Sequence, residues 1–439
     1  MYGQTLDRPA AAVDLPIAPS HGACSMKILL VHQNFPGQFL HVARFLGAQR
    51  EHRVVFITQC KNGAIPGVEK ILYQPRRAIS PQLHHYLRES EAAVLNAQEV
   101  ARVAMDLRTA GFIPDVMLGH NGWGEIWYLK DIFPTAPLIG YFEYFYRLHG
   151  ADVGFDPADP ITPDTAPRIR TKNLGNLLGL DTADLGQTPT KWQKSGYPRR
   201  YHSMLNVNYE GIDTTLVKPD PAARLTLGGD VPEIAAGEEV VTYVARNLEP
   251  YRGFPTFMRS LPTVLAARPK ARVLIVGGDE VSYGSRPTGP LNFREQLLKE
   301  LEGSLDQKRV HFLGKLPYPT FLKVLQVSRV HVYLTYPFVL SCSMPEAMSA
   351  GCFIVGSRTQ PVEEFIQHGA NGVLVDFFSH EEVADRVIEA LEDRRAHDSI
   401  RQNARETIVM QYDLLTICLP AQLTLLGAAA PASACSGVG

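Results

Sequence analysis

Hydrophobic residues along this chain gather in short continuous runs, with longer amphipathic stretches between them. Such runs, which lack the alternation of a half-exposed strand, predict buried strands of a parallel sheet, and the stretches between them predict helices. Strands that alternate with helices are typical of doubly wound α/β domains. The runs of the first half are MKILLV, HRVVFIT, PDVMLGH and APLIGYFEY, and those of the second half are EEVVTYVARN, ARVLIVGGD, RVHFLG, VHVYLTY and CFIVGS.

The pattern is interrupted by the segment NVNYEGIDTTLVKPDP, whose glycine and prolines predict an interdomain connector. We therefore predict two Rossmann-like domains that face each other across a cleft, with ligand crevices at the carboxyl ends of their strands. The predicted boundaries are 26–205 for the N-terminal domain, 206–220 for the connector, 221–405 for the C-terminal domain and 406–427 for a helix that crosses back to the first domain.

Both ends of the chain have a composition that disfavours a packed core. Residues 1–25 are rich in Pro and Ala and lack the basic start and apolar stretch of a signal peptide. Residues 428–439 are small and of low complexity. We predict that both segments are disordered.

Composition and charge narrow the class of protein. With 20% charged residues and a formal net charge of -2, the sequence gives no sign of nucleic-acid binding, which usually needs a basic surface. Its 6 cysteines are scattered, without a C-x-x-C pair, which favours reduced thiols in a cytoplasmic protein over a disulfide framework or a zinc site. No apolar run approaches the ~20 residues of a membrane span.

Two candidate binding residues follow predicted strands of the first half. In QNFPGQ, Gly37 lies between a strand and a helix, where a ligand can approach free N–H groups at the helix N-terminus. The alternative is that this glycine only makes the turn. His120 ends the strand PDVMLGH, and its ring can hydrogen-bond a sugar hydroxyl or a phosphate, although a satisfied core histidine is the commoner case.

The loop YVARNLEPYRG, which follows the first strand of the second half, carries Arg246 and Arg252. Two guanidinium groups at a strand end can neutralise a diphosphate and stabilise the charge that grows on a departing phosphate. The alternative is a pair of solvated surface arginines. The position at a strand end favours the functional interpretation.

The stretch SCSMPEAMSAG places Glu346 near the start of a predicted helix. Ser343 and Glu346 have the spacing of a capping box, in which the glutamate bonds back to the Ser343 backbone, and Pro345 suits the first turn. A carboxylate at this place can also accept both hydroxyls of a ribose. The local sequence fits both roles.

The sequence offers little sign of a metal or a cofactor. No Asp-x-Asp pair stands in a metal-binding context, and we predict neither a metal ion nor a cofactor. Arginines beside aromatic residues are mostly solvated, while a minority contact anionic lipid or a phosphorylated acceptor. Two such clusters are Arg76 and Arg77 in YQPRRAI, and Arg199 and Arg200 in SGYPRRYH.

Taken together, these segments resemble the retaining, metal-independent glycosyltransferases of family 4, the group 1 transferases, which have the GT-B architecture. The resemblance spans about residues 26–426. It is carried by GIDTTLVKP, by YVARNLEPYRG and, most specifically, by EAMSAGCFIVGSRTQPVEEFIQHGANGVLVDF. The first half looks like a bacterial subset of that family, through HNGWGEIWYLKDIFP, YFEYFYRLHGADVGFDP and TPTKWQ.

The resemblance implies a role for each candidate residue. Arg246 and Arg252 match the basic pair that holds the donor diphosphate. Glu346 matches the second glutamate of the E-x7-E motif, which binds the nucleotide ribose. Gly37 matches a loop near the diphosphate, and His120 matches a histidine near the donor sugar.

One position departs from the family pattern. The first glutamate of E-x7-E, which touches the donor sugar in the family, falls at Phe338. Backbone N–H groups of Val339, Leu340 and Ser341 can still meet the sugar or the phosphate. The departure leaves the identity of the donor sugar open.

We therefore predict a retaining, metal-independent hexosyltransferase with Arg246, Arg252 and His120 as catalytic residues. It would move a sugar from a nucleoside-diphosphate donor to a carbohydrate or lipid-linked acceptor in bacterial polysaccharide or glycoconjugate synthesis, in the cytoplasm or at the inner face of the membrane. One alternative is a non-catalytic sugar-nucleotide-binding protein, because Phe338 replaces a motif glutamate. Another is a sugar-nucleotide epimerase, which needs carboxylates on both faces of the sugar.

Overall fold

The computed structural model describes residues 25–228, 232–393 and 395–430. The described residues form two compact units: a C-terminal unit of Gly211–Leu414, and an N-terminal unit made of residues 25–210 together with residues 415–430. The division before Gly211 lies inside the connector predicted at 206–220. The ends predicted to be disordered lie, except for residues 25 and 428–430, outside the described residues.

The N-terminal unit alternates strands and helices along the chain. Its elements are β1 Lys27–Val31, α1 Leu40–Ala48, β2 Arg53–Thr58, β3 Val68–Leu72, α2 Arg88–Thr109, β4 Val116–His120, α3 Leu129–Ile132, β5 Leu138–Tyr141, α4 Thr165–Lys172, α5 Leu174–Thr182, β6 Leu185–Thr188, α6 Lys191–Gly196 and β7 Leu205–Val207.

The seven strands of this unit form one parallel sheet in the order β3-β2-β1-β4-β5-β6-β7. The central strands β1 and β4 are almost wholly buried, which explains their continuous apolar sequence, since helices cover both faces of a parallel sheet. The strand order reverses between β1 and β4. Such a switch point opens a crevice at the carboxyl ends of the strands, where ligands bind in doubly wound folds.

The C-terminal unit begins with a short antiparallel pair and continues as a second alternating series. Its elements are β8 Arg224–Leu225, β9 Ile234–Ala235, β10 Val240–Asn247, α7 Phe254–Ala267, β11 Arg272–Gly278, α8 Phe293–Glu300, β12 Val310–Gly314, α9 Tyr318–Val327, β13 Val330–Tyr333, α10 Ser343–Ser349, β14 Phe353–Ser357, α11 Gln360–Glu363, β15 Val373–Val375, α12 His380–Glu392 and α13 Asp398–Gln411.

Six of these strands form a parallel sheet in the order β12-β11-β10-β13-β14-β15, which reverses between β10 and β13. A π-helical turn, Leu414–Cys418, and a last helix, α14 Leu419–Ala429, follow α13. Helix α14 belongs to the N-terminal unit, where it packs against α1, β4 and β5. The two sheets confirm the prediction of doubly wound α/β folding in both halves.

Candidate functional site

In the N-terminal unit, a cluster of aromatic and histidine rings lies at the carboxyl ends of β1, β4 and β5. His120 is the last residue of β4, and its ring is stacked on Trp123 at 4.5 Å and on Tyr141 at 5.1 Å between ring centroids. The ring of His32, the first residue after β1, lies 4.7 Å from that of His120. The cluster therefore occupies the switch point of this sheet.

Both histidines of the cluster are neutral. Burial lowers the pKa of His32 to about 4, and burial followed by the proximity of His32 lowers the pKa of His120 well below its ordinary value. The Nδ1 atom of His32 accepts from the Asn34 backbone N–H, and that of His120 from the Gly122 N–H, both at 2.9 Å. A neutral ring that accepts at Nδ1 carries its proton on Nε2, so both Nε2 atoms are donors.

Gly37 lies directly against His32. Its φ of +57° is in the left-handed region, and a Cβ placed on it would come within 2.4 Å of His32 Nε2. A side chain would therefore displace the imidazole. This packing is sufficient reason for a glycine here, and contact of Gly37 with a diphosphate stays a prediction.

Glu143, which sequence reasoning missed, completes this cluster. Its Oε1 accepts from Gln38 Nε2 at 3.2 Å, and its Oε2 lies 3.8 Å from His120 Nε2. Within the described parts of the chain, His120 Nε2 is buried and has no hydrogen-bond partner. The available signal was an acidic residue in YFEYFY, two positions beyond the apolar strand β5.

In the C-terminal unit, Arg252 is buried with only 5% of its surface exposed. It ends a 3₁₀ turn, Pro250–Arg252, after β10. Its Nη1 donates to Thr335 Oγ1 at 2.7 Å and to the Val339 carbonyl at 2.9 Å, and the guanidinium lies 5.0 Å from the Tyr283 ring centroid. The alternative of a solvated surface arginine is therefore wrong for Arg252. Arg246 lies near the end of β10 and is half-buried.

The loop after β13 is held by this arginine and by Tyr333. The Ser341 backbone N–H donates to Tyr333 Oη at 2.7 Å, while the Val339 carbonyl accepts from Arg252. The side chain of Leu340 is buried. The structure therefore brings Arg252, Val339 and Ser341 together. The Ser341 N–H, which was expected to meet a ligand, is instead hydrogen-bonded to Tyr333 within the protein.

Phe338 is 3% exposed and belongs to an aromatic cluster. Its ring meets those of Tyr251 and Tyr283 edge to face, at centroid distances of 5.6 and 5.2 Å, and Tyr251 is stacked on Tyr336 at 4.5 Å. The position where the family has a carboxylate is thus packed with apolar rings.

Glu346 lies in α10 and is 3% exposed. Helix α10 begins at Ser343, so its N-cap is Cys342, and the capping box predicted with Ser343 as N-cap is wrong. The carboxylate instead accepts from Tyr318 Oη at 2.7 Å. This bond to the first residue of α9 orients the carboxylate near the start of α10, and ribose binding stays a prediction.

Glu249 was also missed by sequence reasoning. It is fully buried, and it accepts from three consecutive backbone N–H groups, those of Ser282 at 3.0 Å and of Tyr283 and Gly284 at 3.1 Å each. The carboxylate therefore fastens the loop after β11 to the end of β10. Sequence offers no local signal for it, because its partners lie more than 30 residues away.

The described residues contain neither a metal-binding cluster nor a membrane-spanning helix. Among them, no three or more His, Cys, Asp and Glu side chains are grouped so that they could hold a metal ion. None of the helices in these ranges combines the length and the apolar character that crossing a bilayer requires.

Comparison with known families supplies the class of this chain. Residues 230–407 match the family model described as "Glycosyl transferases group 1", and residues 50–217 match that described as "Glycosyl transferase family 4 group". The chain belongs to the group 1 glycosyltransferases. The resemblance seen in the sequence is thereby confirmed.

Relatives of this group 1 glycosyltransferase include two enzymes that act on sugars. It is 25% identical over 414 residues, 88% of this chain and 94% of the relative, to the GDP-mannose-dependent alpha-(1-6)-phosphatidylinositol monomannoside mannosyltransferase of Mycobacterium tuberculosis. It is 32% identical over 117 residues, 27% of this chain and 29% of the relative, to the N-acetyl-alpha-D-glucosaminyl L-malate synthase of Bacillus anthracis.

Solved structures share the fold of this glycosyltransferase. Anabaena Alr3699/HepE in complex with UDP-glucose matches with a TM-score of 0.61 and 19% identity, over 91% of this chain and 99% of that chain. Sucrose-phosphate synthase from Thermosynechococcus elongatus matches with a TM-score of 0.65 and 19% identity, over 92% and 100%. At these identities the likeness bears on the fold alone, and it confirms the GT-B fold.

Proposed function

We propose that this glycosyltransferase is a retaining, metal-independent hexosyltransferase that moves a sugar from a nucleoside-diphosphate donor to a hydroxyl acceptor. The observation that carries the proposal is the pair of arginines at the end of β10, beside the switch point of the second sheet. Arg246 is half-buried there and Arg252 is buried. Positive charge at a strand end suits an anionic diphosphate. The GDP-mannose dependence of the mycobacterial relative, and UDP-glucose in the complex of Alr3699/HepE, support a donor of this class.

In the proposed mechanism, the arginines stabilise the leaving group. As the bond between the sugar and the diphosphate breaks, negative charge grows on the departing phosphate, and the guanidinium groups of Arg246 and Arg252 offset it. The acceptor hydroxyl attacks on the face that the diphosphate leaves and gives its proton to the departing phosphate, which retains the anomeric configuration without a protein base. His120 would bind a hydroxyl of the donor sugar through its Nε2–H, and Glu346 would accept from the ribose hydroxyls.

A donor screen tests the proposal. The purified protein would be incubated with GDP-mannose, UDP-glucose and related donors, with a chelator present, and product would be followed by mass spectrometry. The anomeric configuration of the product would be read by NMR. We expect turnover with at least one donor in the presence of chelator and a product with the donor's configuration. An inverted product would contradict the retaining mechanism.

A second candidate function is a non-catalytic sugar-nucleotide-binding protein. The buried position of Phe338 favours it, because a ring packed against Tyr251 and Tyr283 stands where the family has its sugar-binding carboxylate. Tight binding of nucleoside diphosphate sugars, without transfer or hydrolysis for any donor, would support this candidate over the transferase.

We also propose that the acceptor is a carbohydrate or lipid-linked glycan of a bacterial polysaccharide or glycoconjugate, met in the cytoplasm or at the inner face of the membrane. Arg199 and Arg200 are exposed beside Tyr201. Arg76 and Arg77, in contrast, pair with Glu99 and Glu91, which leaves them less suited to anionic lipid. Co-sedimentation with anionic vesicles that is lost in the Arg199→Ala/Arg200→Ala variant would support contact of this pair with anionic lipid, and equal binding to neutral vesicles would contradict that contact.

A further inference from the structure

A partly buried chain of hydrogen bonds leads to the Glu143 carboxylate at the carboxyl ends of β1, β4 and β5. The His32 Nε2–H donates to Gln38 Oε1 at 2.6 Å, and Gln38 Nε2 donates to Glu143 Oε1 at 3.2 Å. The neutral state of His32 fixes the direction of the chain, because its only N–H requires the oxygen of the Gln38 amide. The Gln38 amino group must then face Glu143. The carboxylate is thus held in one position.

His120 faces the other oxygen of the same carboxylate. Its Nε2–H lies 3.8 Å from Glu143 Oε2, which is too long for a hydrogen bond. This nitrogen has no other partner within the residues that the structure describes. Buried donors are almost always satisfied in native proteins, and an exception at a strand end calls for an explanation.

The gap between the two atoms suits one kind of ligand group. Atoms 3.8 Å apart can both lie within hydrogen-bond distance of a third atom placed beside them. One atom of the pair is a donor and the other belongs to a carboxylate, so the group that satisfies both must accept and donate. A neutral hydroxyl does this. A phosphate or a carboxylate would be repelled by Glu143, and an ammonium would leave His120 unpaired.

The exposure of the pair shows from which side such a group arrives. The Glu143 side chain is 14% exposed, whereas that of His120 is 1% exposed. A ligand therefore meets the carboxylate first and reaches the imidazole by a local adjustment of the rings stacked on it. Both residues stand beside the β1/β4 switch point, where a doubly wound sheet opens its crevice.

We propose that Glu143 is a specificity-determining residue that, together with His120, binds one neutral hydroxyl of a sugar. Glu143 Oε2 accepts the hydroxyl hydrogen, and the His120 Nε2–H donates to the hydroxyl oxygen. The proposal rests on the proposed function for its assumption that the ligand is a sugar. That sugar belongs to the donor or to the acceptor, and the experiment separates these two sources.

Calorimetric titration of the full chain provides the test. The probes are GDP, GDP-mannose, UDP and UDP-glucose, followed by methyl α-mannoside and methyl α-glucoside in the presence of the matching diphosphate. The variants are Glu143→Gln, which removes the charge at constant size, and Glu143→Asp, which keeps the charge but withdraws it by one methylene. Glu69→Gln, which alters an exposed carboxylate paired with Arg53 in the same unit, is the matched control.

In the variant Glu143→Gln we expect the binding affinity for the ligand that supplies the hydroxyl to fall about tenfold, which is the effect of one charge-assisted hydrogen bond. If the donor supplies the hydroxyl, the preference for the diphosphate sugar over the diphosphate falls by that factor, while diphosphate affinity is unchanged. If the acceptor supplies it, glycoside binding falls instead. Glu143→Asp should lie between the wild type and Glu143→Gln, and Glu69→Gln should match the wild type.

The proposal is overturned if Glu143→Gln leaves both the donor preference and glycoside binding unchanged, or if it weakens the diphosphate alone. It is also overturned if the wild type prefers no diphosphate sugar to its diphosphate and binds neither glycoside. Transfer assays decide the proposed function separately. Sugar-dependent binding that requires Glu143, without turnover for any donor, would contradict the transferase and leave the hydroxyl site standing.

Discussion

At the scale of single residues, the structure distinguishes two arginines that look alike in the sequence. Arg246 is half-buried in β10, whereas Arg252 is buried and bridges to Thr335 and Val339. These partners lie 83 and 87 residues further along the chain. Sequence reasoning could place both arginines at a strand end, but such distant partners leave no mark on the local pattern. The same holds for Glu346, whose helix start was predictable and whose partner Tyr318 was not.

The first prediction concerns Arg252. Replacement by alanine should cost on the order of 2–4 kcal/mol of transition-state stabilisation, and it should also lower stability, because Thr335 Oγ1 and the Val339 carbonyl lose their donor. Arg252→Lys keeps the charge but loses the forked geometry, so it should retain more activity than alanine. Steady-state kinetics and thermal unfolding measure the two effects.

Arg259→Ala is the matched control for this prediction, because Arg259 belongs to the same unit and pairs with Glu300 at the surface. It should leave kcat/KM unchanged. Lower stability with normal turnover in Arg252→Ala would show that this arginine supports the loop after β13 and takes no part in catalysis.

A second residue-scale prediction concerns the pH dependence of stability. Glu125 is fully buried, with Oε1 accepting from Tyr73 Oη at 2.7 Å, and burial raises its pKa from 4.5 to about 7. The protonated acid is therefore favoured by folding. Its contribution to the free energy of unfolding is complete below the unfolded value of 4.5 and is lost as the pH rises through about 7. The loss is on the order of 3 kcal/mol.

Chemical denaturation across this pH range measures the effect. The free energy of unfolding of the wild type should fall between about pH 5 and pH 8. In Glu125→Gln, which cannot ionise, that fall should be smaller, by on the order of 3 kcal/mol. As a control, the variant Glu69→Gln, which changes an exposed carboxylate, should show the same dependence of stability on pH as the wild type. Parallel curves for wild type and Glu125→Gln would show that Glu125 titrates alike in the folded and unfolded states.

At the scale of helices and strands, the strength of the apolar pattern decided what the sequence could predict. The long buried runs were recognised as β1, β2, β4 and β5 in the first half and as β10 to β14 in the second. Six strands were not named from the sequence, among them β8 and β9 with only 2 residues each. Strand β3 is mostly half-exposed and β7 largely exposed, so neither has a continuous apolar run, while β6 and β15 contain only 4 and 3 residues.

The third prediction concerns the loop after β11, which one carboxylate fastens. Glu249→Gln places an amino group where the carboxylate accepts from the N–H groups of Ser282, Tyr283 and Gly284. At least one of these donors then loses its acceptor. The free energy needed to open the loop should therefore fall by about 1–3 kcal/mol. Hydrogen exchange of these three amides should accelerate in the variant.

Glu280→Gln is the matched control on this loop, since Glu280 is largely exposed and pairs with Lys315. It should leave the exchange of the same amides close to that of the wild type. Equal acceleration in both variants would mean that overall negative charge, and not the three hydrogen bonds, holds the loop.

At the scale of the whole molecule, the chain completes its N-terminal unit with its last helix. Helix α14 follows the residues of the C-terminal unit in sequence, yet it packs against α1, β4 and β5. The side chains of Leu419 and Leu426 in this helix are buried. A side-chain bond from Gln422 to Gln187 ties it to β6. The sequence predicted one returning helix over 406–427, whereas α13 ends at Gln411 and α14 begins at Leu419. The sequence could not show which strands the returning helix would cover.

This packing makes the stability of the N-terminal unit depend on residues near the end of the chain. Leu426 is 2% exposed, so Leu426→Ala should lower the free energy of unfolding by about 2–5 kcal/mol, the cost of a cavity in a packed core. Thr424→Ala, an exposed position of the same helix, should change it by less than about 0.5 kcal/mol. Denaturant unfolding measures both variants, and hydrogen exchange in α1 locates the effect, because α1 is one of the elements that α14 covers. If Leu426→Ala left the exchange of α1 unchanged, α14 would not support the N-terminal unit in solution.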